Sequence, residues 1–378
     1  SHFGSRPRLR SHFGSRPRLR SHFGSRPIRS HFGSSLGPIA PRCLGSFGGA
    51  RPRAIWRTEE DIGEMGCCDT VGVVLFNLIL IVCTLPPYIV AKVSVFFTDC
   101  RPFRPTSTRP KVVLVLTCLC WRLLFTLAFW IRIRADGLSD FRQHLGSSGR
   151  PVVVVANHLS FLDTLLLVAM MPVSRMSRMK MFVSEHLLKM PILSTIVQAM
   201  GHIAVPFKPG AGHNDFELDR ELMAIRQLEL EEHVRSGGYA GWFPEGRMNP
   251  GDSTEVGLFR AGGFALACHV DVEVWTIAFL GNGMCWPRTS AAGGRPSKIG
   301  VKFERLCESS WEFVSTAKGG PGLNDEKEAC KHLANHAHER VQTGVTQLFT
   351  EGIPAYQGGR KAKAREVAIN QPLLSSAA

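Results

Sequence analysis

Six short runs of mainly apolar residues recur along the middle of the chain, each typical of a β-strand. They lie at Val152–Ala156, Lys180–Ser184, His202–Phe207, Tyr239–Phe243, Val272–Leu280 and Ile299–Phe303. Helical patterns separate several of them, at Ser160–Met171, His186–Ala199 and Asp215–Arg235. Strands that alternate with helices predict an α/β fold with a mixed, mainly parallel sheet and crossover helices.

The longest of these helical stretches has an internal pattern of its own. Its apolar residues recur at helical spacing, and suitable capping residues lie at both ends. The apolar positions are Leu218, Leu222, Ile225 and Leu228, with Asn214 and Glu217 suited to a capping box and Gly237 to a stop. A further helix is predicted from Asn324 to about Phe349, and the tail from Tyr356 is expected to be disordered.

Two longer apolar segments precede the predicted sheet. Val71–Ala91 contains no charged residue, and Val112–Ile133 is apolar apart from Arg122 and Arg132. Since about 20 helical residues cross the ~30 Å hydrocarbon core of a bilayer, both segments are long enough to span it. They predict a hydrophobic two-helix membrane anchor in front of the sheet, with buried core helices as the alternative.

The charges around the anchor bear on how it lies in the membrane. Two full spans would put the basic linker between the segments on the far side from a cytosolic enzyme. Pro86–Pro87 is expected to break the first segment. Arg122 would cost ~3 kcal/mol at the bilayer centre. A re-entrant first segment and an interfacial second segment therefore suit the sequence better, because they keep every basic residue on the catalytic side.

The first 57 residues differ from the rest in charge. They hold twelve arginines, no lysine and no acidic residue, which leaves only +2 of the net charge of +14 to the remainder. The net charge of the remaining residues is therefore no evidence of nucleic-acid binding. The pentapeptide SHFGS occurs four times here, in a repeat too short and too polar to form a core.

We interpret this repeat as a transcript leader read through in translation, with Met65 as the start of the protein. A transit segment and a basic arm for anionic lipid or nucleic acid are the alternatives. Met65–Thr70 also fits a myristoylation pattern. The predicted organisation is a disordered leader over 1–64, anchoring segments over 65–148, a catalytic domain over 149–350 and a disordered tail over 351–378.

Two short motifs carry the candidate chemistry. The first, NHLSFLD, follows a buried run and so places His158 at the carboxyl end of a strand, where α/β folds hold their active sites. Asp163 is suited to orient this histidine and to balance the charge that it gains as a general base. A loop histidine capped by an aspartate is the alternative. The second motif, FPEGR, covers Phe243–Arg247 after another apolar run.

Together the two motifs resemble the glycerolipid acyltransferase family, which includes 1-acylglycerol-3-phosphate acyltransferases. The resemblance covers about residues 152–301. It implies that His158 takes a proton from a glycerol hydroxyl while Asp163 orients the imidazole. The hydroxyl then attacks the thioester of an acyl-CoA or acyl carrier protein, without a covalent acyl-enzyme. The implied product is phosphatidate, with glycerol-3-phosphate or a different lysophospholipid as the alternative acceptor.

The acceptor site that the resemblance implies contains Glu245, Gly246, Arg247 and Lys208. For Glu245 the alternative is a structural carboxylate that holds a turn, and for Lys208 it is a solvated strand end. The chain departs from the family pattern at several points. Glu185 stands where a Lys is usual, Phe207 where a phosphate-binding Arg is usual, Arg247 directly after Gly246 where a Thr is common, and Trp275 where a Pro is usual. These departures concern the acceptor and leave the reaction in place.

No cofactor and no metal are predicted, since acyl-CoA is a co-substrate and His332 and His336 are expected to be surface residues. The eleven cysteines are expected to be reduced thiols in a cytosol-facing enzyme. Expected partners are membrane lipids, acyl-CoA and a lysophosphatidate-like acceptor, and not nucleic acid. The expected location is the endoplasmic reticulum membrane with the catalytic domain facing the cytosol, or the plastid envelope. A catalytically silent membrane scaffold is the alternative from another class, against which His158 and Asp163 argue.

Overall fold

The structure is a computed structural model that describes residues 67–99, 108–207, 218–316, 322 and 325–350. In chain order the elements are α1 (Cys67–Asp99), α2 (Thr108–Leu127), β1 (Ile131–Asp136), α3 (Leu138–His144), β2 (Val152–Ala156), α4 (Leu162–Met170), α5 (Val173–Met176), β3 (Met179–Ser184), a 3-10 helix (Glu185–Lys189), α6 (Pro191–Met200), β4 (Ile203–Val205), α7 (Arg220–Arg235), β5 (Tyr239–Trp242), a 3-10 helix (Ala261–Phe264), α8 (Ala265–His269), β6 (Glu273–Leu280), α9 (Asn282–Cys285), β7 (Ser297–Cys307), α10 (Ser310–Thr316) and α11 (Glu326–Thr350). The leader, the suspected start at Met65, Lys208 and the tail lie outside these residues.

Seven strands form one sheet in the order β1-β7-β6-β2-β5-β3-β4. Only the pair β6 and β7 is antiparallel among the described strands. The prediction of a mixed, mainly parallel sheet is therefore confirmed. β2 lies between β5 and β6, and Val152 pairs with both Tyr239 and Glu273. All five residues of β2 are buried, which explains why the strand is a continuous apolar run without alternation.

Helices cover both faces of the sheet. Val152 and Val154 of β2 belong to a core shared with α1, α2, α4 and α6. Val153 and Val155 belong to a second core on the opposite face, shared with α7, α8 and α11. The two cores follow from the period of two along a strand, which sends successive side chains to opposite faces. The carboxyl ends of β2, β5 and β6 meet at one edge of the sheet, because these strands are parallel.

The second apolar segment was predicted to be one element as far as Ile133, and this was wrong at its end. The helix α2 stops at Leu127, and Ile131–Asp136 form the edge strand β1, which pairs with β7. Hydrophobicity does not separate a helix from a following strand. The alternation of Ile131 and Ile133 with Arg132 and Arg134 is the period-two signal of a half-buried strand. The sheet thus begins within the range assigned to the anchoring segments.

One side of the α1 and α2 pair packs on the rest of the α/β fold. The side chain of Asn77 donates a hydrogen bond to the carbonyl oxygen of Gly293 at 2.9 Å, and the ring of Phe76 meets Trp286 edge-on. The expected break at Pro86–Pro87 is absent, since α1 continues to Asp99. By length and composition, α1 and α2 are apolar enough to cross a membrane. Their outward sides expose Val, Leu and Ile side chains.

Arg122 in α2 has partners in the catalytic fold. Its Nε donates to the carbonyl oxygen of Ala169 at 2.7 Å, and its Nη2 donates to that of Met171. These carbonyls end α4, where the unsatisfied oxygens of a helix carry partial negative charge. Protein carbonyl oxygens thus satisfy the guanidinium, which lowers the cost expected for an unpaired arginine in an apolar surrounding.

The helix α7 begins later than its pattern predicted. Its amino-terminal cap is Asp219, which accepts a hydrogen bond from the amide of Leu222 at 3.0 Å. The predicted capping residues Asn214 and Glu217 lie outside the described residues. Leu222, Ile225 and Leu228 are exposed, and the buried positions are Leu230, Glu231 and Val234. The spacing indicated a helix correctly, but only the last turns of α7 pack on the sheet.

Candidate active site

The strand β2 delivers the first motif to the edge of the sheet. Asn157, directly after β2, is buried, and its side chain pairs with the backbone of Phe279 in β6. Its Nδ2 donates to the carbonyl oxygen of Phe279 at 3.0 Å, and its Oδ1 accepts from the amide of Phe279 at 2.7 Å. The amide of Asn157 thus clamps the ends of two neighbouring strands, which fixes the position of the next residue, His158.

His158 and Asp163 form a hydrogen-bonded pair, as predicted from the first motif. The Nδ1 of His158 lies 3.0 Å from Oδ2 of Asp163. The same carboxylate oxygen accepts from the backbone amides of Leu159 at 2.6 Å and Ser160 at 2.9 Å. Asp163 is fully buried in the first turn of α4, whereas the His158 side chain is partly exposed. Among the described residues nothing occupies Nε2 of His158, so this nitrogen is free to accept a proton.

Asn282 completes the surroundings of Asp163 and was not predicted from the sequence. Its Nδ2 donates to Oδ1 of Asp163 at 2.6 Å, and the residue is fully buried. Asn282 follows Gly281, whose φ of 86° is in the left-handed region that favours glycine. The available signal was a polar residue just beyond the carboxyl end of β6, at the sheet edge where His158 also lies.

Phe243 and Glu245 of the second motif contact His158 directly. The ring of Phe243 stacks on the imidazole with centroids 4.1 Å apart and an interplanar angle of 11°. The buried Oε1 of Glu245 accepts from the His158 amide at 2.7 Å, and Oε2 accepts from the Gly257 amide at 3.2 Å. Burial raises the pKa of Glu245, and these hydrogen bonds oppose the rise. Both carboxylate oxygens of Glu245 are thus bound to backbone amides, and its contact with the acceptor stays a prediction.

Two arginines lie beside the turn of the second motif. Gly246 has a φ of 71°, and the guanidinium of Arg260 packs against it, within 3.0 Å of the place that a Cβ would occupy. The amide of Arg260 is held by the carbonyl oxygen of Pro244 at 2.9 Å. Arg247 and Arg260 are both exposed. Neither side chain has a hydrogen-bond or ion-pair partner within the described part of the chain.

Comparison with known proteins supports one family. Residues 132–280 match the family model Acyltransferase. Together with the relatives and the solved structure described below, this match supports the glycerolipid acyltransferase family. The match begins in β1 and ends with β6, so it spans both motifs of the site and extends upstream of the resemblance seen in the sequence.

Named relatives of the acyltransferase domain share one description. The chain is 26% identical over 187 residues to a 1-acyl-sn-glycerol-3-phosphate acyltransferase of Chlamydomonas reinhardtii, covering 47% of this chain and 51% of that protein. It is 28% identical over 160 residues to the chloroplastic 1-acyl-sn-glycerol-3-phosphate acyltransferase LPAT1 of Arabidopsis thaliana, covering 42% and 39% of the two chains. The chain thus matches about half or less of the length of these curated relatives.

A solved structure has the same fold. The crystal structure of the 1-acyl-sn-glycerophosphate (LPA) acyltransferase PlsC from Thermotoga maritima superposes with a TM-score of 0.52 at 17% identity. The superposition covers 75% of this chain and 98% of that chain. At this identity the likeness concerns the fold, and it confirms the α/β architecture.

The departures of the acyltransferase domain from its family pattern fall outside the His158 and Asp163 pair. Trp275 is fully buried in the middle of β6, where its indole donates to Glu273 and its ring meets Phe141 edge-on. It is a core residue. Glu185 begins a 3-10 helix after β3. Phe207 forms an isolated bridge with Leu218, and its neighbour Lys208 lies outside the described residues.

His332 and His336, for which no role is predicted, lie on α11. His332 and His336 face each other one turn apart on α11, with ring centroids 4.2 Å apart, and both rings contact Phe313. Both are half-buried rather than fully exposed. Within the described residues, no group of three or more His, Cys, Asp or Glu side chains is placed to hold a metal ion.

Proposed function

We propose that this protein transfers an acyl group from acyl-CoA to the free hydroxyl of 1-acylglycerol-3-phosphate, with phosphatidate and CoA as products. The observation that carries the proposal is the His158 and Asp163 pair at the carboxyl edge of the sheet, with one imidazole nitrogen bound to a buried carboxylate and the other free. The printed names of the relatives support the choice of acceptor.

The proposed reaction is a direct transfer. Nε2 of His158 takes the proton of the acceptor hydroxyl as its oxygen attacks the thioester carbonyl carbon. The tetrahedral intermediate then breaks its carbon–sulfur bond, and the leaving CoA thiolate takes the proton from the imidazolium. Asp163 stabilises the imidazolium and fixes the ring orientation. General-base assistance of this kind contributes about a hundredfold to ten-thousandfold in rate.

The acceptor phosphate is assigned to Arg247 and Arg260. Both guanidinium groups are exposed beside the turn at Gly246, and the neighbouring Glu245 already binds two backbone amides. Two cations without an ion-pair partner among the described residues are suited to bind an anion, and the planar fork of arginine fits the oxygens of a phosphate. Arg260 would then provide a second cation in a chain that has Phe207 at the family's usual Arg position.

A small apolar cavity lies beside the helix that carries Asp163, between α2, α4, α6 and the segment before α6. Its lining includes Trp121, Phe161, Leu165, Leu187, Ile196 and Met200, and its volume is about 30 Å³. This space is too small for a fatty acyl chain in the present arrangement. Its aliphatic and aromatic walls would remove a hydrocarbon chain from water only if the surrounding helices moved apart.

The outward faces of α1 and α2 support attachment to a membrane. Val74, Leu78, Ile81, Val82 and Ile89 are each more than half exposed on α1. A row of exposed aliphatic side chains is unfavourable in water and favourable at a lipid surface. We propose that the pair is inserted from one side while its other side packs on the catalytic fold. The endoplasmic reticulum and the plastid envelope are both consistent with this attachment, and the chloroplastic relatives favour the latter.

An acceptor panel tests the proposal. Purified full-length protein in detergent micelles is incubated with labelled acyl-CoA and, separately, lysophosphatidate, glycerol-3-phosphate and lysophosphatidylcholine, with His158→Ala as the matched control. We expect labelled phosphatidate as the main product in the wild type and a large loss in the variant. Preference for a different acceptor would retain the reaction and overturn the acceptor. No transfer to any of the three would contradict the proposed function.

A further inference from the structure

Two thiols face each other on the side of the sheet opposite α1 and α2. Sγ of Cys268, in α8, lies 3.5 Å from Sγ of Cys330, in α11. Both cysteines are free. Cys330 is buried and Cys268 is half-buried, so solvent reaches the pair from the Cys268 side. Neither thiol has a part in the proposed acyl transfer.

We propose that Cys268 and Cys330 form a redox-modification site, which closes to an intramolecular disulfide by exchange with a disulfide compound and reopens in the presence of reducing thiols. A disulfide bond is about 2.0 Å long, so the two sulfurs need to approach by roughly 1.5 Å. The helix α8 has only five residues, which allows such a shift without rearrangement of a long element.

The groups around the pair act on the pKa values of its two thiols in opposite directions. His269, next to Cys268, binds Oε2 of Glu231 through Nδ1 at 2.8 Å and Oε1 of Glu326 through Nε2 at 3.2 Å. The hydrogen bond to Glu231 raises the pKa of His269 and so extends the pH range in which the ring is positive. The hydrogen bond between the two thiols lowers the pKa of Cys330 and raises that of Cys268, and the carboxylate of Glu326 opposes the ionisation of both. A thiolate is the nucleophile in thiol–disulfide exchange, and a nearby positive charge promotes its formation.

The exchange is balanced in two steps. Cys330 first loses its proton to water. The proton of Cys268 then passes across the contact to the Cys330 thiolate as the Cys268 sulfur attacks one sulfur of the disulfide compound and releases one thiolate. A mixed disulfide on Cys268 results. The sulfur of Cys330 then attacks the Cys268 sulfur, loses its proton to the released thiolate and displaces the second thiolate, which takes up the proton that Cys330 first gave to water. Two protein thiols are oxidised, one disulfide compound is reduced, and two small thiols are formed.

A disulfide between Cys268 and Cys330 would affect the segment behind the second motif. It would tie α8 to α11, and Gln342 of α11 binds the segment just before Arg260. The Oε1 of Gln342 accepts from the Val256 amide at 2.8 Å, and its Nε2 donates to the carbonyl oxygen of Thr254 at 2.9 Å. The next residue, Gly257, donates to Glu245. A covalent link would therefore strengthen the support behind the second motif.

Other thiols of the fold provide a contrast. Burial raises the pKa of Cys285 to about 11 and that of Cys307 to about 12, which keeps both as unreactive thiols. Cys307 is half-buried like Cys268 and has no thiol neighbour within the described residues. Cys307→Ser is therefore a matched control for Cys268→Ser.

The test is disulfide mapping on the full-length protein. The reduced protein is incubated with oxidised glutathione, alkylated with iodoacetamide, digested and analysed by mass spectrometry, and its thermal melt is recorded in parallel. We expect a peptide pair linked through Cys268 and Cys330 and a rise in Tm of about 5 °C, since the bridge closes a long loop. Dithiothreitol should reverse both changes. Cys268→Ser should lose both, while Cys307→Ser should keep both.

Three results would overturn the proposal. The first is recovery of both cysteines in alkylated form after oxidation. The second is a stable glutathione adduct on Cys268 in the wild type, which would show that the second step does not occur. The third is an equal rise in Tm for wild type and Cys268→Ser. Because Cys268 is half-buried, its replacement by serine is expected to fold, and the readouts do not depend on acyltransferase activity.

Discussion

Two groups of charged side chains in the candidate site, the carboxylate of Asp163 and the guanidinium groups of Arg247 and Arg260, differ in how fully they are satisfied. Asp163 is completely buried and accepts four hydrogen bonds, from His158, Leu159, Ser160 and Asn282. Arg247 and Arg260 are exposed and lack polar side-chain partners among the described residues. The carboxylate of Asp163 is thus fully hydrogen-bonded within the protein, whereas the two guanidinium groups remain available to a ligand.

Under the proposed function, this contrast separates the chemical step from recognition of the acceptor. A buried carboxylate with every donor in place holds the imidazole in one orientation before substrate arrives, which is the condition for effective general-base catalysis. Two exposed guanidinium groups repel each other, whereas each can form charge-assisted hydrogen bonds with a phosphate. Glu245 connects the two parts, since one of its oxygens binds the His158 amide and the other binds Gly257, in the loop that leads to Arg260.

Replacing His158 by Ala should have the largest effect. Removal of the base is expected to lower kcat about a thousandfold, with little change in thermal stability, because the side chain is partly exposed and its ring is not part of the apolar core. Initial rates with saturating acyl-CoA and lysophosphatidate check the first point and a melting curve the second. Turnover at the wild-type rate would remove His158 from the mechanism.

Replacing Asp163 by Asn should lower kcat by about a hundredfold, with a smaller effect on either KM. The amide cannot balance the imidazolium, and it also presents donors toward the amides of Leu159 and Ser160. Steady-state kinetics on the folded variant provide the measurement. A rise in the acceptor KM with kcat intact would place Asp163 in recognition instead of chemistry.

Replacing Arg247 by Ala should raise the KM for the phosphorylated acceptor by about thirtyfold and leave the KM for acyl-CoA unchanged. The lost contact is charge-assisted and is worth roughly 1.5–3 kcal/mol. Arg247→Lys should recover part of the loss, since it keeps the charge without the fork. The surface Arg226, which pairs with Glu229 on α7, offers a matched control as Arg226→Ala. An equal change in both Michaelis constants would argue against a phosphate contact.

Replacing Asn282 by Ala should have the smallest effect of the series, a loss of about tenfold in kcat. It removes one hydrogen bond to Asp163 and leaves the three from the first motif. The same replacement in the Asp163→Asn background should cost less, since both changes act on one carboxylate. Fully additive losses would show that Asn282 acts independently of Asp163.

The order of motifs and strands made the centre of the site predictable. A five-residue apolar run before Asn157 placed His158 at a strand end, and the spacing to Asp163 fits the first turn of α4. Both relations are local in sequence, and local geometry is fixed by a strand followed by a helix. The same reasoning located Phe243–Arg247 after β5.

Residues brought in from distant elements were not predictable in this way. Asn282 reaches Asp163 from 119 positions away, and Arg260 packs on Gly246 through the closure of a loop. Neither belongs to a periodic pattern or a short motif. The strand β1 was missed for a different reason. It follows α2 within one apolar stretch, and the mean hydropathy of a segment does not distinguish a helix from a strand. The outward face of α7 shows that spacing predicts a helix without saying which side is buried.

The most direct test of the account is a paired kinetic measurement on Asp163→Asn and Arg247→Ala, with kcat and both Michaelis constants determined for acyl-CoA and lysophosphatidate. We expect the two variants to change different parameters. Asp163→Asn should lower mainly kcat, and Arg247→Ala should lower mainly the affinity for the phosphorylated acceptor. If both variants change kcat and both Michaelis constants in the same proportions, the division between a chemical centre and a phosphate-binding pair of arginines is contradicted.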